Sequence, residues 1–137
     1  MNIKRVGNVI LAVKDLDKST EFYHEMLGLP IKNQRRSWVD FGQTGALLSI
    51  HPSSITADHS SNNMEGGIVI WFLVGDVKSA LDELKSKGVK IHRDIVDRDA
   101  GKNAIILDPD GYMVSLFEPK FADSDQQSKG YHGFAPA

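Results

Sequence analysis

The chain has 137 residues, enough for one hydrophobic core of ordinary size. Its 16 Lys and Arg against 18 Asp and Glu leave a formal net charge of -2, which argues against a nucleic-acid-binding protein, because such proteins usually carry a basic excess. The absence of cysteine excludes disulfides, thiolate metal sites and cysteine nucleophiles.

The apolar segments are too short for a membrane protein. The N-terminal residues lack the apolar stretch of a secretory signal, and the longest apolar run, Ile68 to Val74, is far below the ~18 residues that a membrane span requires. We therefore expect no membrane association and a cytoplasmic location.

The first third of the chain reads as a strand, a helix and three further strands. Residues 9–13 are apolar and rich in β-branched side chains, and Asp15 or Asp17 is placed to cap a helix whose apolar positions recur from Leu16 to Leu27. Gly28 is expected to end this helix. Strands are predicted over residues 31–36, 38–41 and 46–51.

The same order then repeats after a polar stretch. Residues 52–67 are rich in Ser, Asn and Gly and predict a linker. A strand over 68–74, a helix capped by Asp76 and ended by Gly88, and strands over 89–96, 102–107 and 112–117 follow. The Asp108-Pro109-Asp110-Gly111 carboxylates are explained by turn geometry, without a calcium ion. Residues 121–137 form a polar tail.

This repeat predicts an α+β fold built from two βαβββ modules in tandem. Module one covers residues 1–51 and module two covers 68–120, so that 1–120 form one domain with a linker at 52–67. The two halves also share local sequence, since Val13-Lys14-Asp15-Leu16 corresponds to Val74-Gly75-Asp76-Val77.

The doubled module resembles the vicinal oxygen chelate superfamily, which includes glyoxalase I, bleomycin-resistance proteins, fosfomycin-resistance enzymes and extradiol dioxygenases. The resemblance covers residues 3–120. It is carried by residues 8–16, by Phe22-Tyr23-His24-Glu25-Met26-Leu27-Gly28, by residues 69–74 and by Asp108-Pro109-Asp110-Gly111-Tyr112. These motifs are typical of the superfamily and do not distinguish one activity within it.

The resemblance implies that the sheets curl around a ligand cleft, with one face of each strand on the helices and the other in the cleft. Strand alternation then assigns the inward positions. The side chains expected to line the cleft are Asn8, Ile10, Trp38, Leu47, Ser49, His51, Val69, Trp71, Leu73, Met113, Ser115 and Phe117. For Trp38 alternation does not assign the face, and packing in a core or a dimer interface is an equal alternative.

Metal-dependent relatives take one ligand from each of four strands, and the corresponding positions here are Asn8, Ser49, Val69 and Ser115. Val69 has no donor atom, and neutral hydroxyl and amide groups are poor ligands for a divalent cation. We therefore expect no metal site and no cofactor, which counts against glyoxalase, fosfomycin-transferase and dioxygenase chemistry.

His51 is the one histidine expected to face the cleft. It is a candidate general base, although a solvated histidine at the strand end is the more frequent situation. We identify no catalytic residue beyond this candidate.

Three functional hypotheses remain open at this level. The first is a metal-free small-molecule binding protein, similar to the bleomycin-resistance proteins, with a cleft for a hydrophobic or planar ligand. The second is an enzyme, either a metal-dependent lyase, transferase or dioxygenase with atypical ligands, or a metal-free one that uses His51. The third is an accessory module whose cleft has lost its ligand. The resemblance also implies a homodimer.

Overall fold

The computed structural model describes residues 1–54 and 68–120. The chain divides into two compact units, Met1–Ser61 (unit 1) and Asn62–Ala137 (unit 2). Most of the predicted linker and the whole predicted tail lie outside the described residues. In the described part, no helix is long and apolar enough to cross a membrane.

Unit 1 contains a mixed four-stranded sheet and one helical segment. Its elements are β1 (Asn8–Val13), α1 (Leu16–Thr20), a π-helical segment (Glu21–Met26), β2 (Ile31–Arg35), β3 (Trp38–Phe41) and β4 (Leu47–Pro52). The strand order is β1-β4-β3-β2. β1 runs parallel to β4, and the other pairs are antiparallel.

The helical segment of unit 1 begins where the sequence predicts and differs in its second half. Asp15 caps it, because its Oδ1 accepts the backbone N–H of Lys18 at 3.1 Å. The predicted continuous α-helix gives way to π geometry, in which the backbone N–H of Leu27 reaches the carbonyl of Phe22. Gly28, with φ of 84°, then ends the segment in a left-handed conformation that glycine adopts without strain.

The core of unit 1 lies between its sheet and the helical segment. Phe22 and Tyr23 are both buried, and Tyr23 packs against Phe41 of β3 with ring centroids 5.7 Å apart. The buried apolar side chains that the strands contribute are Leu11, Val13, Val39, Phe41, Leu48 and Ile50. These residues occupy alternate positions on each strand, so one face of the sheet is apolar and packed.

Unit 2 repeats the architecture with a longer helix. Its elements are β5 (Val69–Leu73), α2 (Val77–Ser86), β6 (Lys90–Asp97), β7 (Gly101–Leu107) and β8 (Met113–Pro119). The strand order is β5-β8-β7-β6, with β5 parallel to β8. Both units thus show the βαβββ order, and the predicted α+β fold of two tandem modules is confirmed.

Two carboxylates hold the start of α2. Asp76 caps it by accepting the backbone N–H of Ser79 at 3.1 Å, as the sequence predicts. Glu118 Oε1, from β8, accepts the backbone N–H of Val77 at 2.9 Å. A carboxylate at a helix N-terminus is favourable because free N–H groups and the helix dipole meet there. The side chain of Glu118 therefore lies on the helix side of its sheet.

The turn before β8 has the geometry that its sequence predicts. Asp108 Oδ1 accepts the backbone N–H groups of Asp110 and Tyr112, each at 2.9 Å. Gly111 has φ of 92°, which favours glycine. The carboxylate of Asp108 is thus explained by hydrogen bonds within the turn.

Candidate functional site

The second face of the sheet in unit 1 carries polar and aromatic side chains. Asn8 and Ser49 lie on neighbouring strands, and Asn8 Nδ2 donates to Ser49 Oγ at 2.6 Å, which places both on one face. Asp40 lies directly opposite Ser49 in the β3–β4 pair and shares that face. Trp38 lies two residues before Asp40 on the same strand, so the structure assigns Trp38 to this face as well.

A hydrogen-bond network centred on Asp40 joins these residues. Asp40 Oδ1 accepts from Ser49 Oγ at 2.5 Å and from Trp38 Nε1 at 2.6 Å. Asp40 Oδ2 accepts from Asn33 Nδ2 at 3.3 Å. The Asp40 residue is only 5% exposed, so the ionised carboxylate depends on these donors for the solvation that water would otherwise supply.

The donors determine the protonation state of this carboxyl group. Burial by itself raises the pKa of Asp40, but the hydrogen bonds from Ser49, Trp38 and Asn33 and the charge of Arg35 together outweigh it. The pKa of Asp40 consequently lies below its ordinary value of 3.8. The face therefore carries a fixed negative charge at neutral pH.

His51 stacks on Trp38 at the end of β4. The two ring centroids are 5.7 Å apart and the planes differ by 12°. The Nδ1 atom of His51 lies 3.3 Å from the carbonyl oxygen of Pro52, and within the described residues no carboxylate forms an ion pair with His51. Among the described residues, His51 thus has an aromatic neighbour but no carboxylate of the kind that commonly orients a catalytic imidazole.

Sequence reasoning missed Asp40 and Asn33. The signal for Asp40 was present, because Val39 and Phe41 are apolar while Trp38 and Asp40 occupy the alternate positions. Since Val39 and Phe41 are fully or almost fully buried in the core, Trp38 and Asp40 must lie on the other face.

The corresponding face of unit 2 is more apolar. Trp71 pairs with Ser115 across β5 and β8, and its ring stacks on Phe117 with centroids 5.2 Å apart. Val69 and Leu73, on either side of Trp71 on this face, are 38% and 50% exposed. Phe117 is buried, so the half-buried ring of Trp71 that it supports and the exposed side chains of Val69 and Leu73 form a surface suited to a flat apolar ligand.

A second polar chain crosses this face of unit 2. Arg93 Nη2 donates to Asn103 Oδ1 at 2.8 Å, and Asn103 Nδ2 donates to Ser115 Oγ at 3.1 Å. Arg93 is half-buried, and burial lowers its pKa, with a smaller contribution from the charge of Arg98. Sequence reasoning missed Arg93 and Asn103.

The remaining side chains predicted for the cleft lie on these same two faces. In unit 1, Leu47 pairs with Asn8 and is half-buried, while Ile10 is 53% exposed. In unit 2, Met113 pairs with Val69 and is buried. The structure therefore brings the predicted residues together as two sets, one in each unit.

The donors at the four positions that correspond to the family's metal ligands do not fit a divalent cation. Val69 has no donor atom. Ser49 Oγ already donates to Asp40 and accepts from Asn8, and Ser115 Oγ already accepts a hydrogen bond. Neutral hydroxyl and amide groups do not offset the desolvation of such a cation. In the described part of the chain, no three His, Asp or Glu residues form a group that could hold a metal ion.

Comparison with known proteins gives the family. The model of the Glyoxalase/Bleomycin resistance protein/Dioxygenase superfamily matches residues 5–116. A probable lactoylglutathione lyase of Vibrio cholerae serotype O1 is 31% identical over 89% of this chain and 96% of its own length. The uncharacterised protein YraH of Bacillus subtilis is 31% identical over 79% of this chain and 93% of its own.

Solved structures show the same fold. TnmS3, an antibiotic binding protein from Streptomyces sp. CB03234, superposes with a TM-score of 0.70 at 20% identity and covers 88% of this chain and 99% of its own. Together with the family model and the two βαβββ units, these likenesses establish that the chain belongs to the glyoxalase/bleomycin resistance protein/dioxygenase superfamily.

Proposed function

We propose that the protein binds a small hydrophobic or planar molecule and does so without the catalytic metal of its metal-dependent relatives. The proposal rests on the side chains at the four positions that correspond to the metal ligands of those relatives, Asn8, Ser49, Val69 and Ser115. These positions hold an amide, two hydroxyl groups and a valine, and the polar groups at three of them are already engaged in hydrogen bonds within their own units. Binding requires complementary surface and no Lewis acid.

The aromatic surface of unit 2 supports the ligand class. The stacked pair of Trp71 and Phe117 lies beside the exposed side chains of Val69 and Leu73. A planar ligand gains about 0.5–1.5 kcal/mol from each aromatic stacking contact, in addition to the burial of apolar area. The fold also occurs in an antibiotic binding protein.

A metal-dependent lactoylglutathione lyase is the second candidate, because relatives that are about 30% identical over most of this chain carry the name probable lactoylglutathione lyase. That function would require a ligand set that these residues do not supply. The exposed side chain of Ile10 on the edge strand β1 also favours a homodimer, which sedimentation equilibrium tests directly.

Elemental analysis of the full chain, purified without chelator, separates the two candidates. We expect substoichiometric Zn, Ni, Fe, Co and Mn, and no turnover of the methylglyoxal–glutathione hemithioacetal with any of these metals added. We also expect the uncharged aromatic probe naphthamide to bind and to change the tryptophan fluorescence. A stoichiometric metal or metal-dependent turnover would overturn the proposal.

A further inference from the structure

Arg93 is a cation on the ligand-binding face proposed for unit 2. Its Nη2 donates to Asn103 Oδ1, and Asn103 in turn donates to Ser115, which pairs with Trp71. Ser115 is 3% exposed. The guanidinium is therefore held by a buried anchor on the face that carries the stacked pair of Trp71 and Phe117.

Within residues 1–54 and 68–120, most N–H groups of this guanidinium have no protein acceptor. It has five N–H donors, and Asn103 takes one of them. The Nε atom of Arg93 is buried and has no hydrogen-bond partner among the residues that the structure describes. None of the ion pairs found in residues 1–54 and 68–120 includes Arg93. After burial, the charge of another cation, Arg98, contributes to the lowered pKa of Arg93.

A partly buried cation without a counter-charge is costly to the folded state. Burial also lowers the pKa of Arg93, which expresses the same cost. A ligand that supplies oxygen acceptors removes this cost when it binds, and the planar guanidinium fork suits carboxylate and phosphate oxygens.

We propose that Arg93 receives the anionic group, a carboxylate or a phosphate, of an aromatic or apolar ligand whose body lies against Trp71. This inference rests on the proposed function, because it concerns the same face of unit 2. It adds that the ligand carries a negative charge.

The test is a titration of the full ¹⁵N-labelled chain, followed by NMR, with three probes of the same aromatic body: naphthoate, naphthyl phosphate and naphthamide. We expect at least one anion to shift the Arg93 Nε–H resonance and to bind about tenfold more tightly than the amide. If naphthoate and naphthyl phosphate differ, the tighter one identifies the preferred anionic group.

Two substitutions of Arg93 and one control substitution test whether the preference for the anion depends on Arg93. Arg93→Gln should remove the preference for the anion, and Arg93→Lys should retain part of it, because the charge remains while the fork is lost. Lys102→Gln removes a cation from β7 on the opposite face of the sheet, beside Glu118, and should leave the preference unchanged. The titration of the unaltered chain still tests the inference if an Arg93 variant does not fold.

The inference is wrong if neither anion shifts the Arg93 resonance, if the amide binds as tightly as both anions, or if Arg93→Gln keeps the preference. Equal binding of all three probes would leave the proposed function intact. A stoichiometric metal would overturn the proposed function, whereas an Arg93-dependent preference for the anion would survive it.

Discussion

Ser49 donates its hydroxyl hydrogen to Asp40 Oδ1 at 2.5 Å from the position directly opposite in the β3–β4 pair. The same hydroxyl oxygen accepts from Asn8, so β1, β4 and β3 are joined on one face by side chains as well as by the backbone. Loss of one member leaves a buried donor or acceptor without a partner, which costs about 1–3 kcal/mol.

Asp40→Asn should lower the free energy of unfolding by about 1.5–3 kcal/mol at neutral pH, because hydrogen bonds to a charged acceptor are lost. Since the pKa of Asp40 is lowered in the folded protein, its stabilisation is complete above the unfolded-state pKa and disappears as the pH falls through the folded-state pKa. The difference between the two proteins should therefore be constant above about pH 5 and shrink at lower pH.

Urea unfolding over a pH series measures this difference. The control is Asp82→Asn, which removes an exposed carboxylate from α2 and should change stability by less than about 0.5 kcal/mol. A difference for Asp40→Asn that stays unchanged down to the lowest pH would contradict the assignment of the charge to Asp40.

Trp71→Ala should weaken the binding of naphthamide by about 2- to 10-fold, because the ligand loses a stacking surface. Trp38→Ala should weaken it less, because Trp38 lies on the face of unit 1 beside the buried carboxylate of Asp40 and not on the apolar face of unit 2. Isothermal titration calorimetry compares the two variants without relying on tryptophan fluorescence. Equal affinities in Trp71→Ala and the unaltered chain would refute the stacking surface.

Gly101→Ala should destabilise the protein by about 1–3 kcal/mol. Gly101 has φ of 154°, and an added Cβ would collide with the carbonyl oxygen of Glu118 and lie 2.9 Å from the ring of Phe117. Gly75→Ala is the matched control, because a Cβ there meets no atom within 4 Å. Thermal unfolding of both variants should show a lowered Tm only for Gly101→Ala.

Glu118→Ala should cost about 1 kcal/mol, because the backbone N–H of Val77 at the start of α2 loses its acceptor. Glu118→Gln retains an oxygen acceptor and should recover most of this stability. Neither substitution should alter probe binding, since Glu118 serves the helix side of the sheet. Denaturant unfolding and calorimetry check the two expectations, and a strong loss of binding in Glu118→Gln would place the residue in the ligand site instead.

Much of the fold is predictable from the sequence because its signals are local. The cap at Asp76, the turn at Asp108 and the alternation on β1, β4, β5 and β8 each depend on residues close together in the chain. The π-helical segment at Glu21–Met26 was not predictable, because its apolar spacing is also that of an α-helix.

The hydrogen-bonded chain of Arg93, Asn103 and Ser115 in unit 2 could not be predicted from the sequence for a different reason. The pairing of β6 with β7 is irregular on both sides of Arg93, between Ile91 and Arg93 and again between Arg93 and Val96. A bulge breaks the two-residue alternation, so the face of Arg93 cannot be counted along the strand. The network at Asp40 depends on which residue of β3 faces Ser49, and that register is a tertiary property.

The two serines at corresponding positions have hydrogen-bond networks that end on groups of opposite charge. Ser49 donates a hydrogen bond to the carboxylate of Asp40, whereas Ser115 is linked through Asn103 to the guanidinium of Arg93. The overall charge of -2 conceals this, because the two groups cancel in the sum. Replacing both charged side chains by neutral ones, Asp40→Asn together with Arg93→Gln, would leave the isoelectric point almost unchanged. It would nevertheless remove one charged group from each unit. Two modules of the same architecture thus differ in the sign of the charged group next to the corresponding serine, a difference that the net charge does not reveal.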